Sequence, residues 1–219
     1  MKLRLIAIDM DDTVYLERDY VRSGFRAVDR HVLEHAGVAG FFTCAWDLFV
    51  EGERGDVFDQ VLATLSLKNE FDIIDLVRCY REHTPEIRMT EDSMVFLEAV
   101  KGRVPLALVT DGPSASQRRK IDALGLEHFV DELIVTDERG ATWGKPQLTA
   151  FEHLQVRFGA EPESCIYLAD NPAKDFQAPG SLGWQSLRIR RAGSLHYEHD
   201  STVEEAATMP NEVWVHDRL

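Results

Sequence analysis

The chain has 219 residues and a formal net charge of −14 at pH 7. This length suits one domain with a large insertion or two small domains, and it allows a substantial core. The negative charge argues against an extended nucleic-acid partner, because phosphates would be repelled, although a local cation could still hold a small phosphorylated molecule. The first apolar segment stops at Asp9 and no other segment could span a bilayer, so we expect no membrane partner and a cytoplasmic location.

An apolar strand is predicted over Leu5–Ile8, and three carboxylates, Asp9, Asp11 and Asp12, follow it directly. Carboxylates this close repel one another, and a bound cation is the usual way to keep such a cluster ionised. In a parallel α/β sheet, ligands bind at the carboxyl ends of the strands. The segment therefore predicts a metal-assisted acid site, although an acidic turn that only stops the strand remains the alternative.

Residues 18–87 show helical periodicity and almost no strand signal. The apolar residues that recur at three- and four-residue spacing are Phe25, Val28, Val32, Leu33, Phe58, Val61, Leu62, Leu65, Ile73, Leu76, Val77 and Tyr80. The pair Thr84-Pro85 ends the last of these helices, since the residue before a proline avoids the helical region. We interpret 18–87 as a helical-bundle cap domain inserted into a catalytic core made of 1–17 and 88–219.

From residue 90 the pattern alternates between helix and strand. Helices are predicted over 92–100, 114–124 and 147–158, and strands over 104–109, 133–135, 165–169 and 185–189, with a short last strand at 212–216. Such alternation predicts a three-layer, Rossmann-like α/β fold, in which a doubly wound, mostly parallel sheet carries helices on both faces. The helical cap would interrupt this sheet after its first strand and cover the site.

Further polar side chains stand at or after the ends of the later strands: Thr110, Asp111, Lys145, Asp170 and Asp175. Each has a simpler structural explanation. The segment 110–114 could be a turn with a helix cap, Lys145 could be a solvated loop residue, and 170–175 could be a helix cap with proline in its first turn. Their convergence on one edge of the sheet favours a shared site over separate coincidences.

The order of these residues resembles the haloacid-dehalogenase-like superfamily of phosphohydrolases. Its first motif, DxDxT after an apolar strand, is matched by Asp9, Asp11 and Thr13. Its second motif, a Ser or Thr at the end of the next strand, is matched by Thr110. The resemblance therefore begins with the acidic segment that the first strand presents.

The third and fourth motifs of this family lie in the second half of the chain. Lys145, within Gly144-Lys145-Pro146, matches the third motif. Asp170 and Asp175 match the fourth, GDxxxxD, with Ala169 in place of the usual glycine. Because that replacement is small, we expect little beyond local crowding. The four motifs together are far more specific than any one of them.

The resemblance implies phosphoryl transfer through an aspartyl phosphate. Asp9 would attack phosphorus, and Asp11 would protonate the leaving oxygen and later deprotonate the hydrolytic water. Lys145 would neutralise charge on Asp9 and on the phosphoryl oxygens, while Thr110 and nearby backbone N–H groups bind those oxygens. An acid at the position of Asp11 favours phosphate esters over the haloacids and phosphonates that other branches of the superfamily cleave.

Mg²⁺ is the cofactor that the resemblance implies, because oxygen ligands and retained waters suit this cation. Its ligands would be the Asp9 carboxylate, the backbone carbonyl of Asp11, and Asp170, while Asp175 would hold a metal-bound water or orient Lys145. The expected function is a Mg²⁺-dependent phosphatase acting on a small phosphorylated metabolite. A phosphotransferase or mutase and a non-catalytic regulator remain alternatives, and the oligomeric state, monomer or homodimer, stays open.

Candidate substrate contacts fall into two groups. In the core they are Thr110, Asp111, Gly112 and Tyr15, the last because it follows the first motif immediately. In the cap, the polar and aromatic candidates are residues that more commonly serve packing or the surface: Tyr20, Arg22, Trp46, Arg54, Tyr80 and His83.

Three features lie outside the motifs. The basic run 188–191 is interpreted as a solvated strand end, with a second anion-binding point as the alternative. The histidines at 196 and 199 lack the partner spacing of a zinc site. Three widely spaced cysteines without a CxxC pair are predicted to be buried reduced thiols: Cys44, Cys79 and Cys165.

Overall fold

The computed structural model describes residues 2–218, apart from the side chain of residue 212. The chain forms two compact units: one is Asp19–Glu86, and the other combines the segments that precede and follow it. Within 2–218, no helix has both the length and the apolar character that crossing a membrane requires.

One unit is built on a six-stranded sheet in which every pair of neighbours runs parallel. Its strand order is β3-β2-β1-β4-β5-β6. The strands are β1 Leu5–Ile8, β2 Leu106–Thr110, β3 Glu132–Val135, β4 Cys165–Ala169, β5 Gln185–Ile189 and β6 Glu204–Ala206. Successive strands are added first on one side of β1 and then on the other, so the predicted doubly wound α/β fold is confirmed.

The α-helices within 2–218 are, in chain order, α1 Glu17–Ala36, α2 Phe41–Val50, α3 Val57–Thr64, α4 Ile73–Glu82, α5 Glu91–Val100, α6 Ser114–Leu124, α7 Thr136–Arg139, α8 Thr149–Phe158, α9 Gln177–Leu182 and α10 Glu212–Arg218. The prediction of helix over 114–124 matches α6, which ends at Gly125 in the left-handed conformation (φ 64°) that glycine adopts without strain.

The central strand β1 is buried on both faces. Leu5 and Ala7 belong to a core cluster that includes Phe151 of α8 and Tyr167 of β4. The Phe151 and Tyr167 rings meet edge to face at 4.9 Å between centroids. The alternate residues of β1 point to the opposite face and are also fully buried. A strand enclosed in this way holds the residue that follows it, Asp9, in a fixed position.

Two predicted strands differ from the observed ones. The strand predicted at 104–109 begins two residues later, because Pro105 has no N–H for the ladder, although its carbonyl accepts from Ile6 N at 3.0 Å. The strand predicted at 212–216 is wrong, since this segment is the helix α10, which buries Val215. The sixth strand is instead the polar edge strand β6, whose Glu205 pairs with Arg188 at 2.6 Å.

The other unit is entirely helical in its regular structure, as its periodicity predicts, and contains α2, α3, α4 and most of α1. Aromatic rings form its centre: Phe25 of α1 meets Phe58 of α3 at 6.0 Å and Tyr80 of α4 at 5.8 Å. Gly24 makes room for this packing, because a Cβ there would lie 2.4 Å from the Tyr80 ring. This unit therefore has an apolar core of its own.

Candidate active site

The carboxyl ends of β1, β2 and β4 bring the motif residues together in the sheet unit. The register pairs Ile8 with Leu168, and the ladder continues for one more bond, from Asp9 N to the Leu168 carbonyl at 2.9 Å. Asp9 and Asp170 consequently leave neighbouring strands at the point where the winding of the sheet reverses. In α/β sheets this position is where ligands bind.

Asp9 and Asp175 share the ammonium group of Lys145. The Lys145 Nζ lies 2.7 Å from Asp9 Oδ1 and 2.8 Å from Asp175 Oδ1, and it donates to the Tyr167 hydroxyl at 3.0 Å. The Lys145 side chain is completely buried. Burial alone would lower the pKa of Lys145, but Asp175 and Asp9 raise it well above its usual value. A permanent positive charge thus stands beside the proposed nucleophile.

Asp170 is the acid with the least support from the chain. Its Oδ2 is buried and, within the described residues, has no hydrogen-bond partner. Burial, followed by the charges of Asp9 and Asp175, raises the pKa of Asp170 to about 10. At Asp9, burial together with the charge of Asp175 outweighs Lys145 and raises the pKa of Asp9 to about 6. Without another cation, this cluster cannot be fully ionised at neutral pH.

These three acids fit a hard divalent cation. Asp9, Asp170 and Asp175 each present a carboxylate oxygen, and the three oxygens lie within 4.8 Å of one another. An all-oxygen donor set with an unpartnered buried carboxylate is what Mg²⁺ favours. The Asp11 side chain is not part of this group, and coordination through its backbone carbonyl stays a prediction.

Asp11 is instead surrounded by donors from its own chain. Its Oδ1 accepts from Lys120 Nζ at 2.7 Å and from the Tyr15 hydroxyl, and its Oδ2 accepts from Gln117 Nε2 at 3.0 Å. Burial opposes ionisation, but Lys120 and the other donors lower the pKa of Asp11 below its usual value. Tyr15 is fully buried behind this carboxylate, so its predicted role as a substrate contact is replaced by support of Asp11.

Thr110 ends β2 and is fully buried. Its Oγ1 accepts from the same Gln117 Nε2 at 2.6 Å. Gly112, which follows in the loop, has a φ of 124° that other residues avoid, and a Cβ there would press on Gln117 at 3.3 Å. The loop after β2 is therefore shaped around the Gln117 side chain.

Asp111 holds this loop to its neighbours. Its Oδ1 accepts from Thr136 Oγ1 at 2.8 Å and from Lys145 N at 3.2 Å, and its Oδ2 accepts from Lys174 Nζ at 3.3 Å. Burial works against it, but Lys145 and Lys174 lower the pKa of Asp111. Its carboxylate thus fixes the backbone of Lys145, a role that the predicted substrate contact did not include.

Asp12, the third acid of the opening cluster, is turned away from the other two. Its φ of 52° redirects the chain, its Oδ1 accepts from Glu17 N at 2.8 Å, and its Oδ2 accepts from Leu195 N at 2.7 Å. Asp12 therefore supports the start of α1 and the loop after β5. The predicted repulsion among the three acids is reduced because each points to different partners.

Two of the three arginines of the basic run, Arg188 and Arg191, are buried and structural. Arg188 is 1% exposed and donates to the Asp170 carbonyl at 2.9 Å and to the His196 carbonyl at 2.6 Å. Arg191 is also buried and donates to the Thr13 carbonyl at 3.0 Å. The interpretation of this run as a solvated strand end is wrong for both, because their donors satisfy carbonyls of the loops that carry the motif residues.

A small cleft of about 120 Å³ opens at this edge of the sheet. Its lining consists of Asp9, Asp11, Glu17, Asp111, Asp170, Asn171, Lys174 and His196. Lys145, Thr110 and Asp175 are buried and are not part of that lining. The cleft is polar, small and rich in carboxylates, which suits a compact charged group together with a cation.

Sequence reasoning missed Gln117, Lys120 and Lys174. A signal for the first two exists: they are in helical phase with Ile121 and Leu124, so they lie on the buried face of α6. A glutamine and a lysine on such a face need partners there. Lys174 lies inside the fourth motif, where only the two aspartates were assigned roles.

The candidate residues of the helical unit contribute mainly to its packing. Tyr20 is buried and meets Tyr80 edge to face at 5.5 Å, and His83 contacts Ser23 Oγ at 2.9 Å. The candidate arginines pack on aromatic rings of the same unit. The Arg22 guanidinium lies 4.8 Å from the centre of the Trp46 ring, and the Arg54 guanidinium lies 4.0 Å from the centre of the Phe49 ring.

The three cysteines carry free thiols. Only Cys165 is buried, whereas Cys44 and Cys79 are half-buried, so the prediction of burial is right for one of them.

The family model of the haloacid dehalogenase-like hydrolases matches residues 3–183. The chain therefore belongs to this family, as its motifs predict. Over nearly its whole length, the solved structure of the HAD-hydrolase YfnB from Bacillus subtilis superposes with a TM-score of 0.66, at 17% identity and with 99% of each chain covered. That likeness is one of fold.

Two curated relatives are named as phosphatases. The chain is 26% identical to the glyceraldehyde 3-phosphate phosphatase of Methanocaldococcus jannaschii over 204 residues, which cover 89% of this chain and 88% of that protein. It is 30% identical to the phosphoserine phosphatase of Thermus thermophilus over 112 residues, which cover 51% of this chain and 44% of that protein. The chain is a hydrolase that acts on phosphate monoesters.

Proposed function

We propose that this hydrolase is a Mg²⁺-dependent phosphatase that cleaves a small phosphate monoester through an aspartyl phosphate formed on Asp9. The observation that supports it most directly is the environment of Asp9. This buried carboxylate is paired with Lys145 and lies beside the unpartnered oxygen of Asp170. A nucleophile with a fixed cation on one side and an incomplete cation site on the other suits attack on a phosphoryl group.

In the first half-reaction, a carboxylate oxygen of Asp9 attacks phosphorus, and the bond from phosphorus to the leaving oxygen breaks. Lys145 stabilises negative charge on Asp9 and on the phosphoryl oxygens, and the Thr110 hydroxyl donates to one of those oxygens. Asp11 delivers a proton to the leaving oxygen. Because its three donors favour the ionised form, that proton comes from the substrate: a phosphate monoester that binds with one proton on its phosphoryl group passes it to Asp11, which transfers it to the leaving oxygen.

In the second half-reaction, water attacks the aspartyl phosphate and releases inorganic phosphate. Asp11, now a carboxylate, accepts the proton of that water. Its lowered pKa suits this step, since the base must be ionised at neutral pH. Asp9 is regenerated as a carboxylate, and Asp11 gives the proton of the water to the departing phosphate, so the cycle closes without net change in the protein.

Asp9 and Asp170, with the backbone carbonyl of Asp11, are the groups that would hold Mg²⁺. Asp175 would orient Lys145, to which it lies at 2.8 Å, or hold a water on the metal. The bound cation would supply positive charge that lets Asp9 and Asp170 ionise together and that offsets charge on the phosphoryl oxygens. The YfnB structure is bound to magnesium, which supports this choice of metal.

The substrate class follows from the cleft and the relatives. A cleft of about 120 Å³ suits a compact molecule. The relative that aligns over most of both chains is named for glyceraldehyde 3-phosphate, and the partial one for phosphoserine. We therefore place the substrate among small phosphorylated metabolites, with three-carbon phosphates tested first. The helical block 18–87 would act as the cap that selects among them.

The test compares the wild type with Asp9→Asn and with Asp122→Asn, an exposed control on α6. Release of phosphate from a panel of phosphomonoesters is measured with and without Mg²⁺, and the phosphoenzyme is trapped by acid quench and mass spectrometry. We expect the wild type and Asp122→Asn to hydrolyse and to trap phosphate on Asp9, and Asp9→Asn to do neither. Hydrolysis retained by Asp9→Asn would exclude the nucleophile, and transfer to a sugar in preference to water would indicate a mutase.

A further inference from the structure

We propose that Lys120 and Gln117 are positioning residues for catalysis: together they fix the proton-transfer carboxylate of Asp11, and Gln117 also ties it to the hydroxyl of Thr110. This inference rests on the proposed function, because it gives a task to residues around the acid-base group of that reaction. Neither residue belongs to the four motifs.

The location of the two side chains on α6 is the first argument. Gln117 and Lys120 are three residues apart, so they lie on the same helix face, in phase with the apolar Ile121 and Leu124. Gln117 is 1% exposed and Lys120 is 4% exposed. Burial of an ammonium group is costly unless a partner compensates for it. A lysine at this position is therefore explained by what it contacts.

Lys120 contacts one of the reacting carboxylates directly. Its Nζ lies 2.7 Å from Asp11 Oδ1, and the two side chains are 5% and 19% exposed. The site thus holds two separate aspartate–lysine pairs, because Asp9 has its own partner in Lys145 at 2.7 Å. Each of the two acids is therefore held in a direction set by its own lysine.

Gln117 links Asp11 to the phosphate-binding residue. An ionised Asp11 carboxylate can only accept hydrogen bonds, so the Gln117 atom that faces its Oδ2 at 3.0 Å must be the amide nitrogen. The same nitrogen lies 2.6 Å from Thr110 Oγ1. Its two hydrogens therefore serve one partner each.

This arrangement determines what the Thr110 hydroxyl can do. Because Gln117 donates to its oxygen, the hydroxyl must direct its own hydrogen elsewhere, and it remains a donor for a phosphoryl oxygen. A single side-chain amide thus orients both the group that moves the proton and a group that binds the phosphate. Displacement of Gln117 should disturb both functions, whereas displacement of Lys120 should disturb the first alone.

The experiment uses the dependence of rate on the leaving group, which reports proton donation specifically. Alkyl alcohols need a proton to leave, whereas 2,4-dinitrophenolate leaves without one. In Lys120→Met, which keeps the length of the side chain but removes its charge, we expect kcat/KM to fall about 10- to 100-fold for alkyl phosphates and less than about threefold for 2,4-dinitrophenyl phosphate. The control Arg119→Met removes an exposed charge from the same helix and should change neither.

A second variant tests the role of Gln117. Gln117→Met preserves shape but removes both donors, so we expect the same selective loss on alkyl phosphates together with an approximately tenfold higher Ki for inorganic phosphate, which reports phosphate binding without turnover. Lys120→Met should leave that Ki within about twofold of the wild type. Lys120→Gln, a neutral donor, should recover part of the lost rate and replaces Lys120→Met if that protein does not fold.

Equal losses for alkyl and 2,4-dinitrophenyl phosphates in both folded variants would overturn the inference, since a purely structural role lowers all rates alike. Wild-type rates in both variants would also overturn it. Failure of the proposed function gives a different result, because the wild type would then hydrolyse no phosphomonoester and trap no phosphoenzyme.

Discussion

The two aspartates of the first motif, Asp9 and Asp11, lie two residues apart, yet their surroundings differ in one decisive respect. Asp11 is supplied with donors by its own chain, from Lys120, Tyr15 and Gln117. On the side of Asp9, two carboxylates, those of Asp9 and Asp175, pair with the ammonium of Lys145, and one oxygen of Asp170 has no partner within the described residues. The Asp11 carboxylate has donors on both of its oxygens, whereas the acids around Asp9 include an oxygen without one, and this is where the proposed cation would bind.

The pKa values express this difference. Burial acts on both sides, but at Asp11 the donors prevail and lower the pKa. At Asp9 and Asp170 burial prevails, and the pKa values rise to about 6 and about 10. The comparison teaches that burial by itself does not set the charge of a catalytic acid; the number of compensating donors does.

The largest effect is expected from Lys145→Met. Removal of the only ammonium that Asp9 and Asp175 share should lower kcat about a thousandfold for alkyl and 2,4-dinitrophenyl phosphates alike, because charge neutralisation is needed for every leaving group. Steady-state rates on both substrates, with circular dichroism to verify folding, make the measurement. A loss restricted to alkyl phosphates would contradict this prediction, because it would show that Lys145, like Lys120, acts mainly on proton donation to the leaving group.

Asp170→Asn should change stability in a pH-dependent manner. The raised pKa of Asp170 means that the folded state binds a proton that the unfolded state releases above about pH 4, so its contribution is lost as pH rises toward 10. Between about pH 6 and pH 8, the free energy of unfolding of the metal-free protein should fall by roughly 3 kcal/mol for this reason. The variant should therefore unfold with a flatter pH dependence than the wild type over that range.

Mg²⁺ provides the complementary measurement for the same variant. The ion should stabilise the wild type more at pH 8 than at pH 6, because its binding displaces the proton from Asp170. It should have little effect on Asp170→Asn, whereas the exposed control Asp122→Asn should respond like the wild type. Equal stabilisation of all three proteins by Mg²⁺ in thermal unfolding would show that the cation binds elsewhere.

The smallest effect is expected from Tyr15→Phe. This change removes one of the three donors to Asp11 and leaves the buried ring in place, so kcat/KM for alkyl phosphates should fall about three- to tenfold. A larger effect than that of Lys120→Met would reverse the ranking of the donors around Asp11. A change in KM without a change in kcat would instead restore the prediction that Tyr15 contacts the substrate.

The core of the fold was predictable because its signals are local. The strands Leu5–Ile8 and 165–169 stand out as apolar runs bounded by polar residues, and the observed strands coincide with them. The predicted strand 185–189 also coincides with an observed one, although only two of its residues are apolar. The segment 212–216 was misread because a short apolar pattern fits either a strand or a helix. The edge strand β6 has no apolar run that would predict it. Ion pairs between its Glu205 and two arginines, not apolar packing, hold it in place.

The sequence by itself determined the order of the motif residues and hence their family, because the chemistry of phosphoryl transfer requires particular side chains after particular strands. Only the tertiary structure decided which donor meets which acid. Lys120 and Gln117 reach Asp11 from a helix more than a hundred residues away along the chain, and Arg188 is buried beneath the loop of Asp170. Such pairings depend on distances between elements that local patterns do not encode.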